Sequence, residues 1–132
     1  MSSIKQYLTQ YAQKEITFVQ KIPRSFIQDI FDYSLVVPVY NEYENFDKLM
    51  HSIVGAADNS TYRILVIAVI NSRVSTSKNI IENNIRLINS WSSRLHNFWE
   101  KGGEFRFLGG FWKNIGVLFI DRNSRGYRFQ EK

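Results

Sequence analysis

The stretch SLVVPVYNEYENFDKLMHSIV, residues 34–54, changes character at residues 40–42. Before that point the chain is apolar and rich in β-branched valine, which predicts a short strand over Leu35–Val39. After it, apolar side chains recur at the spacing of one helix face: Phe46, Leu49, Met50, Ile53 and Val54. Residues 40–42 therefore lie where a buried strand turns into an amphipathic helix.

Two further apolar runs resemble the first one, RILVIAVI at Arg63–Ile70 and VLFI at Val117–Ile120. Their apolarity is continuous rather than alternating, which is typical of strands buried on both faces of a parallel sheet. Because parallel neighbours need long crossovers, each connection is expected to carry a helix. The fold class predicted is α/β, a Rossmann-like parallel sheet of about three main strands with flanking helices.

The connection between the second and third runs carries its own helical pattern, which predicts a long helix ending at Gly102-Gly103. The residues of this pattern are Ile81, Ile85, Ile88, Trp91, Leu95 and Phe98. The stretch GGEFRFLGGFWKN that follows shows no clear period, and we expect a loop or a short hairpin there.

The pattern of apolar residues in the first part of the chain predicts two amphipathic helices. Residues 3–20 have apolar side chains at helical spacing, and Ser25 with Gln28 forms a capping-box pattern after Pro23. We expect residues 1–32 to form an N-terminal helical extension and residues 33–132 to form the α/β domain.

The composition limits the classes of function that this chain can have. The 132 residues, 44% of them hydrophobic, suffice for one domain with a real core. The net charge of +5 comes from basic residues scattered among acidic ones, which favours a mildly basic surface over a nucleic-acid interface, although the tail DRNSRGYRFQEK would suit an anionic small ligand. No cysteine occurs, and no apolar run approaches the ~20 residues that span a bilayer, so we expect a cytoplasmic chain.

Polar residues follow all three predicted strands: Tyr40-Asn41-Glu42, Asn71-Ser72 and Asp121-Arg122. Open parallel sheets bind ligands outside the carboxyl ends of their strands, so these clusters predict a binding site at one sheet edge. A structural explanation stays open, because strands end in polar loops in any case. Asn41 with Glu44 matches a helix cap, and Glu42 would complement the helix dipole.

One motif at the end of the first apolar strand reads Pro38-Val39-Tyr40-Asn41-Glu42, and an amphipathic helix follows it. This arrangement resembles the first strand and helix of the family 2 glycosyltransferases of the GT-A fold. The resemblance implies the N-terminal, nucleotide-sugar-binding portion of such a domain, with Pro38, Tyr40 and Glu42 lining the nucleotide pocket. The donor would be a nucleotide-sugar such as a UDP-sugar. The full predicted nucleotide-binding set is Pro38, Tyr40, Asn41, Glu42, Asn71, Ser72 and Asp121.

The sequence also departs from that family. The turn VINSRVSTS has no carboxylate where the family commonly has an Asp-rich turn, and no Asp-x-Asp metal motif occurs in the 132 residues. No catalytic residue and no metal ligand is therefore assigned; a divalent Mn or Mg is expected only for a complete homologue. His51 and His96 are interpreted as helix residues rather than metal ligands. We expect an incomplete transferase portion, inactive alone; the alternative is a non-catalytic α/β nucleotide-binding or protein-interaction module.

The first strand carries a further expectation. In the GT-A fold this strand is central, and the strand that flanks it on one side comes later in the domain. Without that neighbour, Leu35–Val39 would present unpaired backbone groups, which recruit other strands. We therefore predict that a second copy of the chain, the N-terminal helices or the basic tail covers this edge, so that a homo-oligomer can form through it.

Overall fold

The computed structural model describes residues 26, 31–58, 62–102 and 106–124. The chain forms, in order, β1 (Tyr33–Val39), α1 (Tyr43–Asp58), β2 (Ile64–Asn71), α2 (Lys78–Ser92), β3 (His96–Lys101), β4 (Arg106–Trp112) and β5 (Ile115–Arg122). The strands form one five-stranded sheet in the order β1-β2-β5-β4-β3. The fold is α/β, as predicted.

The three strands predicted from continuous apolar runs are the parallel part of the sheet. β1 pairs with β2 in parallel, with Tyr33 opposite Ile64, and β2 pairs with β5 in parallel, with Ile64 opposite Ile115. Every residue of β5 is buried. The continuous apolarity of β2 and β5 therefore reflects strands covered on both faces.

The sheet is mixed and larger than expected, because β3 and β4 add an antiparallel pair next to β5. The prediction of a helix up to Gly102 is wrong: α2 ends at Ser92, and residues 96–101 form β3. Leu95 and Phe98 continue the helical spacing, but His96 and residues 99–101 pair with β4 instead, and Asn97 adopts a left-handed φ of 53°. Pairing with a neighbouring strand outweighs the local helical pattern here. His96 is accordingly a strand residue.

The stretch expected to be a loop or short hairpin contains β4, which turns into β5 through Lys113 and Asn114. Trp112 lies opposite Ile115, so the loop has two residues, and Lys113 has the positive φ of 55° that such tight turns use. Glycines 109 and 110 let β3 approach β4 closely. A Cβ on Gly110 would lie 2.8 Å from the carbonyl oxygen of His96.

Two apolar cores lie on opposite faces of the sheet. Helices α1 and α2 cover one face, where Met50, Trp91 and Phe119 are buried. The core on the other face is smaller. Phe26, which is helical and 2% exposed, packs there with Phe107. Phe31, at the end of the second predicted N-terminal helix, is not helical; residues 1–25 and 27–30 and the tail after Ser124 lie outside the described residues.

Strand β1 lies at the edge of the sheet. Among the described residues β2 is its one partner strand, and Leu35 and Val36 are 43% and 44% exposed. This matches the expected geometry of the first strand; whether another chain or segment covers it stays a prediction.

We expect Gly110→Ala to lower the free energy of unfolding by roughly 1–3 kcal/mol, since the added methyl group meets β3 backbone that cannot move alone. Gly55→Ala is the matched control. A Cβ there meets no atom within 4 Å, and replacing an exposed helical glycine should stabilise the chain by about 0.5–1 kcal/mol. Urea denaturation followed by circular dichroism measures both, and equal effects of the two substitutions would contradict the close packing of β3 on β4.

Candidate functional site

The turns that follow β1, β2 and β5 meet at one edge of the sheet, and the side chain of Asn84 on α2 joins them. Asn84 is fully buried. Its Oδ1 accepts a hydrogen bond from the backbone N–H of Asn41 at 3.0 Å. Its Nδ2 donates to the carbonyl oxygen of Asn71 and to Oδ1 of Asn123, each at 3.0 Å. One carboxamide therefore connects the carboxyl ends of all three parallel strands.

Asp121 organises the turn after β5. The backbone N–H groups of Asn123 and Ser124 donate to its Oδ1 at 2.8 and 2.9 Å. The guanidinium of Arg106 on β4 donates to its Oδ2 at 2.8 Å through Nε and lies 2.7 Å away through Nη2. Asp121 is fully buried, so this Arg106 fork compensates a charge that would otherwise be costly to bury. Both carboxylate oxygens of Asp121 are thus occupied by the protein itself.

The metal implied by the family resemblance does not fit these residues. Within the described ranges no group of three or more His, Asp or Glu side chains is arranged to hold a metal ion. The buried carboxylate at the sheet edge, Asp121, is bound by Arg106 and by backbone N–H groups, and the exposed Glu42 is not grouped with two further such side chains in this part of the chain. No step through a metal ion is derived for this chain.

A groove of about 430 Å³, here called the Tyr40 groove, opens where the ends of β1 and β2 meet. It is lined by Tyr40, Asn71, Ser72, Arg73 and Thr76. Tyr40 is 49% exposed, and its side chain makes no hydrogen bond or ring contact to another described residue. Ser72, in contrast, is held in place, because its N–H donates to the carbonyl oxygen of Arg122 at 3.1 Å.

A second cavity of about 280 Å³, the Glu42 cavity, lies on the α1 side of the same turn. It is lined by Asn41, Glu42, Tyr43, Glu44, Asn45, Asn83 and Arg86. Asn41 has a left-handed φ of 57°, and its side-chain oxygen accepts from Asn83 Nδ2 at 2.9 Å. The Asn41 side chain therefore binds α2 rather than capping α1. Glu42 is exposed and accepts from Asn45 Nδ2 at 2.6 Å.

Tyr43 connects α1 to α2 at the floor of the Glu42 cavity. Its hydroxyl donates to Ser90 Oγ at 3.0 Å, and the Arg86 guanidinium lies 4.2 Å from its ring centroid. The hydrogen bond with Ser90 is the main cause that lowers the pKa of Tyr43 below its ordinary value, and the nearby charges of Arg86 and Arg94 lower it further. Arg94, two residues after the end of α2, also forms an ion pair with Asp47 of α1 at 2.9 Å.

The structure brings most of the predicted site residues together, in two neighbouring cavities rather than one. Tyr40, Asn71 and Ser72 line the Tyr40 groove, and Asn41 and Glu42 line the Glu42 cavity. The remaining two are placed differently. Pro38 lines a smaller cavity with Glu42 between β1 and α1, and Asp121 is buried within the hydrogen-bond network of the edge. Nucleotide contact by any of them stays a prediction.

Sequence reasoning missed several residues that build this edge: Asn84, Asn123, Arg106 and Arg73. A signal for Asn84 was present. It lies four residues before Ile88 and seven before Trp91, so it occupies the buried face of α2 as a polar residue among apolar ones. Asparagine is also a poor helix former, and a buried one needs partners for its amide. The other three carry no comparable pattern.

Comparison with known proteins finds no matching family model, no matching curated protein and no matching solved structure. In the part of the chain that the structure describes, no helix is both long and apolar enough to cross a membrane. The fold and the geometry of the edge are therefore the basis for any functional assignment.

We expect Asn84→Ala to destabilise the chain by roughly 2–4 kcal/mol, because it removes a partner from three polar groups at a buried site. Asn83→Ala, one residue earlier, removes a single exposed hydrogen bond and should cost less than about 1 kcal/mol. Chemical denaturation of the two variants gives the comparison. If the Asn84 substitution costs no more than the Asn83 one, the carboxamide does not hold the three strand ends together.

Proposed function

We propose that this edge binds the nucleoside diphosphate part of a nucleotide-sugar, in the manner of the donor-binding portion of a family 2 glycosyltransferase of the GT-A fold. The observation that carries the proposal is the Tyr40 groove. There Tyr40, which follows β1 and belongs to the Pro38–Glu42 motif, forms one opening with residues at and after the end of β2. Ligand sites in open parallel sheets lie at this position, outside the carboxyl ends of the strands.

The side chains at the edge are suited to separate parts of a nucleotide. The exposed ring of Tyr40 offers a flat surface for a base, and stacking of this kind contributes about 1–3 kcal/mol per base. The exposed carboxylate of Glu42 is an acceptor for ribose hydroxyl groups. At about 430 Å³ the Tyr40 groove falls within the range of small-molecule sites. The network centred on Asn84 would fix the turns before a ligand arrives, which lowers the entropic cost of binding.

The proposal concerns binding rather than sugar transfer by this chain. Sugar transfer in the resembling family uses a metal-binding Asp-x-Asp, and the 132 residues contain none. Asp121 belongs to the interior network, and its role in this proposal is to position the turn after β5 through Asn123 and Ser124.

Calorimetric titration of the 132-residue chain with UDP and with other nucleoside diphosphates tests the proposal. We expect a Kd on the order of 0.1–1 mM, unchanged by manganese, since stacking and a few hydrogen bonds supply the affinity. Glu42→Ala should weaken binding about tenfold by removing a charged acceptor. Glu82→Ala, which removes an exposed carboxylate of α2 that lines neither cavity, should leave the affinity unchanged.

Three results would contradict this assignment in different ways. Absence of binding by every nucleoside diphosphate would remove the nucleotide proposal itself. Tight binding that depends on manganese would reveal a metal site that the described carboxylates do not form. An affinity that is unchanged in Glu42→Ala would remove the Glu42 cavity from the site while leaving the Tyr40 groove.

The edge of β1 favours a second candidate, a protein-interaction module in which a second copy of the chain adds to the sheet. The N–H of Tyr33 donates to Arg63 at 3.1 Å, so the alternate residues Ser34, Val36 and Pro38 direct their backbone groups away from β2. The strand YSLVVPV carries no charge, so two copies would meet without repulsion. Pro38 has no N–H to offer, which limits pairing to the part centred on Val36.

Light scattering coupled to size-exclusion chromatography tests this candidate. If two copies pair through β1, the chain should elute as a dimer at high concentration, and Val36→Lys should shift it to monomer, since a charge at the centre of the edge opposes pairing. Ser52→Lys, on the exposed surface of α1, adds the same charge elsewhere and should leave the dimer intact. A monomer at all concentrations would rule out pairing of two copies.

A further inference from the structure

We propose that the Tyr40 groove selects guanine among the nucleobases and that Arg73 is the residue that determines this specificity. The inference rests on the proposed function, because it names the base of the nucleotide proposed to bind there. The juxtaposition that carries it is an exposed aromatic ring and a guanidinium group at the same opening, with no carboxylate among the lining residues.

Arg73 is the one charged residue of the five that line the groove. Its backbone is fixed: the N–H of Arg73 donates to Thr76 Oγ1 at 2.8 Å, and the N–H of Thr76 donates to the carbonyl oxygen of Arg73 at 3.0 Å. Its guanidinium, in contrast, makes no hydrogen bond or ion pair with another described residue, and the side chain is exposed. The turn therefore anchors, at the opening that Tyr40 also lines, a planar donor group that has no partner among the described residues.

Three backbone N–H groups of the residues that line the groove are not available to a phosphate group. Phosphate sites of this kind use several free N–H groups that point at the ligand. Here the N–H groups of Ser72, Arg73 and Thr76 already donate to Arg122, Thr76 and Arg73, respectively. The guanidinium is therefore the strongest donor left in the turn, and it lies at the same opening as the stacking surface of Tyr40. This arrangement favours contact with a base over contact with the diphosphate.

The nucleobases differ in what they present to a guanidinium group. Guanine offers two adjacent acceptors, O6 and N7, which match the two-pronged geometry of arginine. Adenine presents one acceptor and one donor on the same edge, and the pyrimidines have no N7. Because the groove has no carboxylate to accept from N1–H and the 2-amino group, selection would depend on the O6/N7 edge alone.

Titration with a series of nucleoside diphosphates tests this inference. GDP should bind about tenfold more tightly than ADP, UDP or CDP, since a bidentate arginine contact discriminates between bases by about this factor. IDP keeps O6 and N7 and lacks only the 2-amino group, so it should bind as well as GDP. 7-Deaza-GDP, which replaces N7 by carbon, should lose most of the preference.

Variants of Arg73 assign the effect to this side chain. Arg73→Ala should bind GDP and UDP with equal affinity, and Arg73→Lys, which keeps the charge but not the planar fork, should also lose most of the preference. Lys48→Ala removes a charge from the exposed surface of α1, outside the groove, and should keep it. Circular dichroism confirms that each variant is folded.

The outcomes separate this inference from the proposed function. Binding of all nucleotides with equal affinity, a preference for UDP, or a guanine preference that persists in Arg73→Ala would overturn the role of Arg73 and leave nucleotide binding in place. A preference for GDP over IDP would show that the 2-amino group is read and would overturn recognition by the O6/N7 edge alone. Failure of every nucleotide to bind would overturn both proposals.

Discussion

The carboxamide of Asn84 is the interaction on which the geometry of the sheet edge depends. Its three partners, Asn41, Asn71 and Asn123, lie at the ends of three different strands. A buried amide is costly unless its donors and acceptor are all used, and here both the oxygen and the nitrogen have partners. The hydrogen-bonding requirement of one side chain thus fixes α2 relative to β1, β2 and β5 at the place where the two cavities open.

The ion pair between Arg106 and Asp121 extends this constraint across the sheet. Arg106 begins β4 and Asp121 lies opposite it in β5, so the pair joins the antiparallel part of the sheet to the parallel part. Asp121 in turn accepts from the N–H of Asn123, whose side chain reaches Asn84. Removing Arg106 should destabilise the chain strongly, because the buried charge of Asp121 would be left without its partner. The shape of the edge therefore depends on β4, a strand that is distant in sequence from the residues lining the Tyr40 groove and the Glu42 cavity.

The sequence predicted the parallel strands because burial on both faces leaves a direct trace, a continuous apolar run, in β2 and β5. It also predicted that the polar turns after those strands converge. It did not predict β3, since HNFWEK has no strand alternation and Leu95 continues the period of α2. The pairing of β3 with β4 needs the space left by Gly109 and Gly110, because a Cβ at either position would meet atoms of β3 or of Leu95 just before it. The sequence alone does not show which segment lies against these glycines. Asn84 was missed because its partners lie 13 to 43 residues away in the chain.

The fold explains some residues of the Pro38–Glu42 motif and leaves others unexplained. Pro38 directs its backbone away from β2, so its missing N–H costs no hydrogen bond in the described sheet. Val39 is fully buried, and Asn41 both adopts a left-handed φ, which asparagine tolerates well, and donates its N–H to Asn84. Tyr40 has no such role: the residue is about half exposed and lines the groove, and its side chain has no partner among the described residues. A large aromatic side chain without a partner among the described residues, held between two constrained neighbours, supports the proposal of a ligand at this edge.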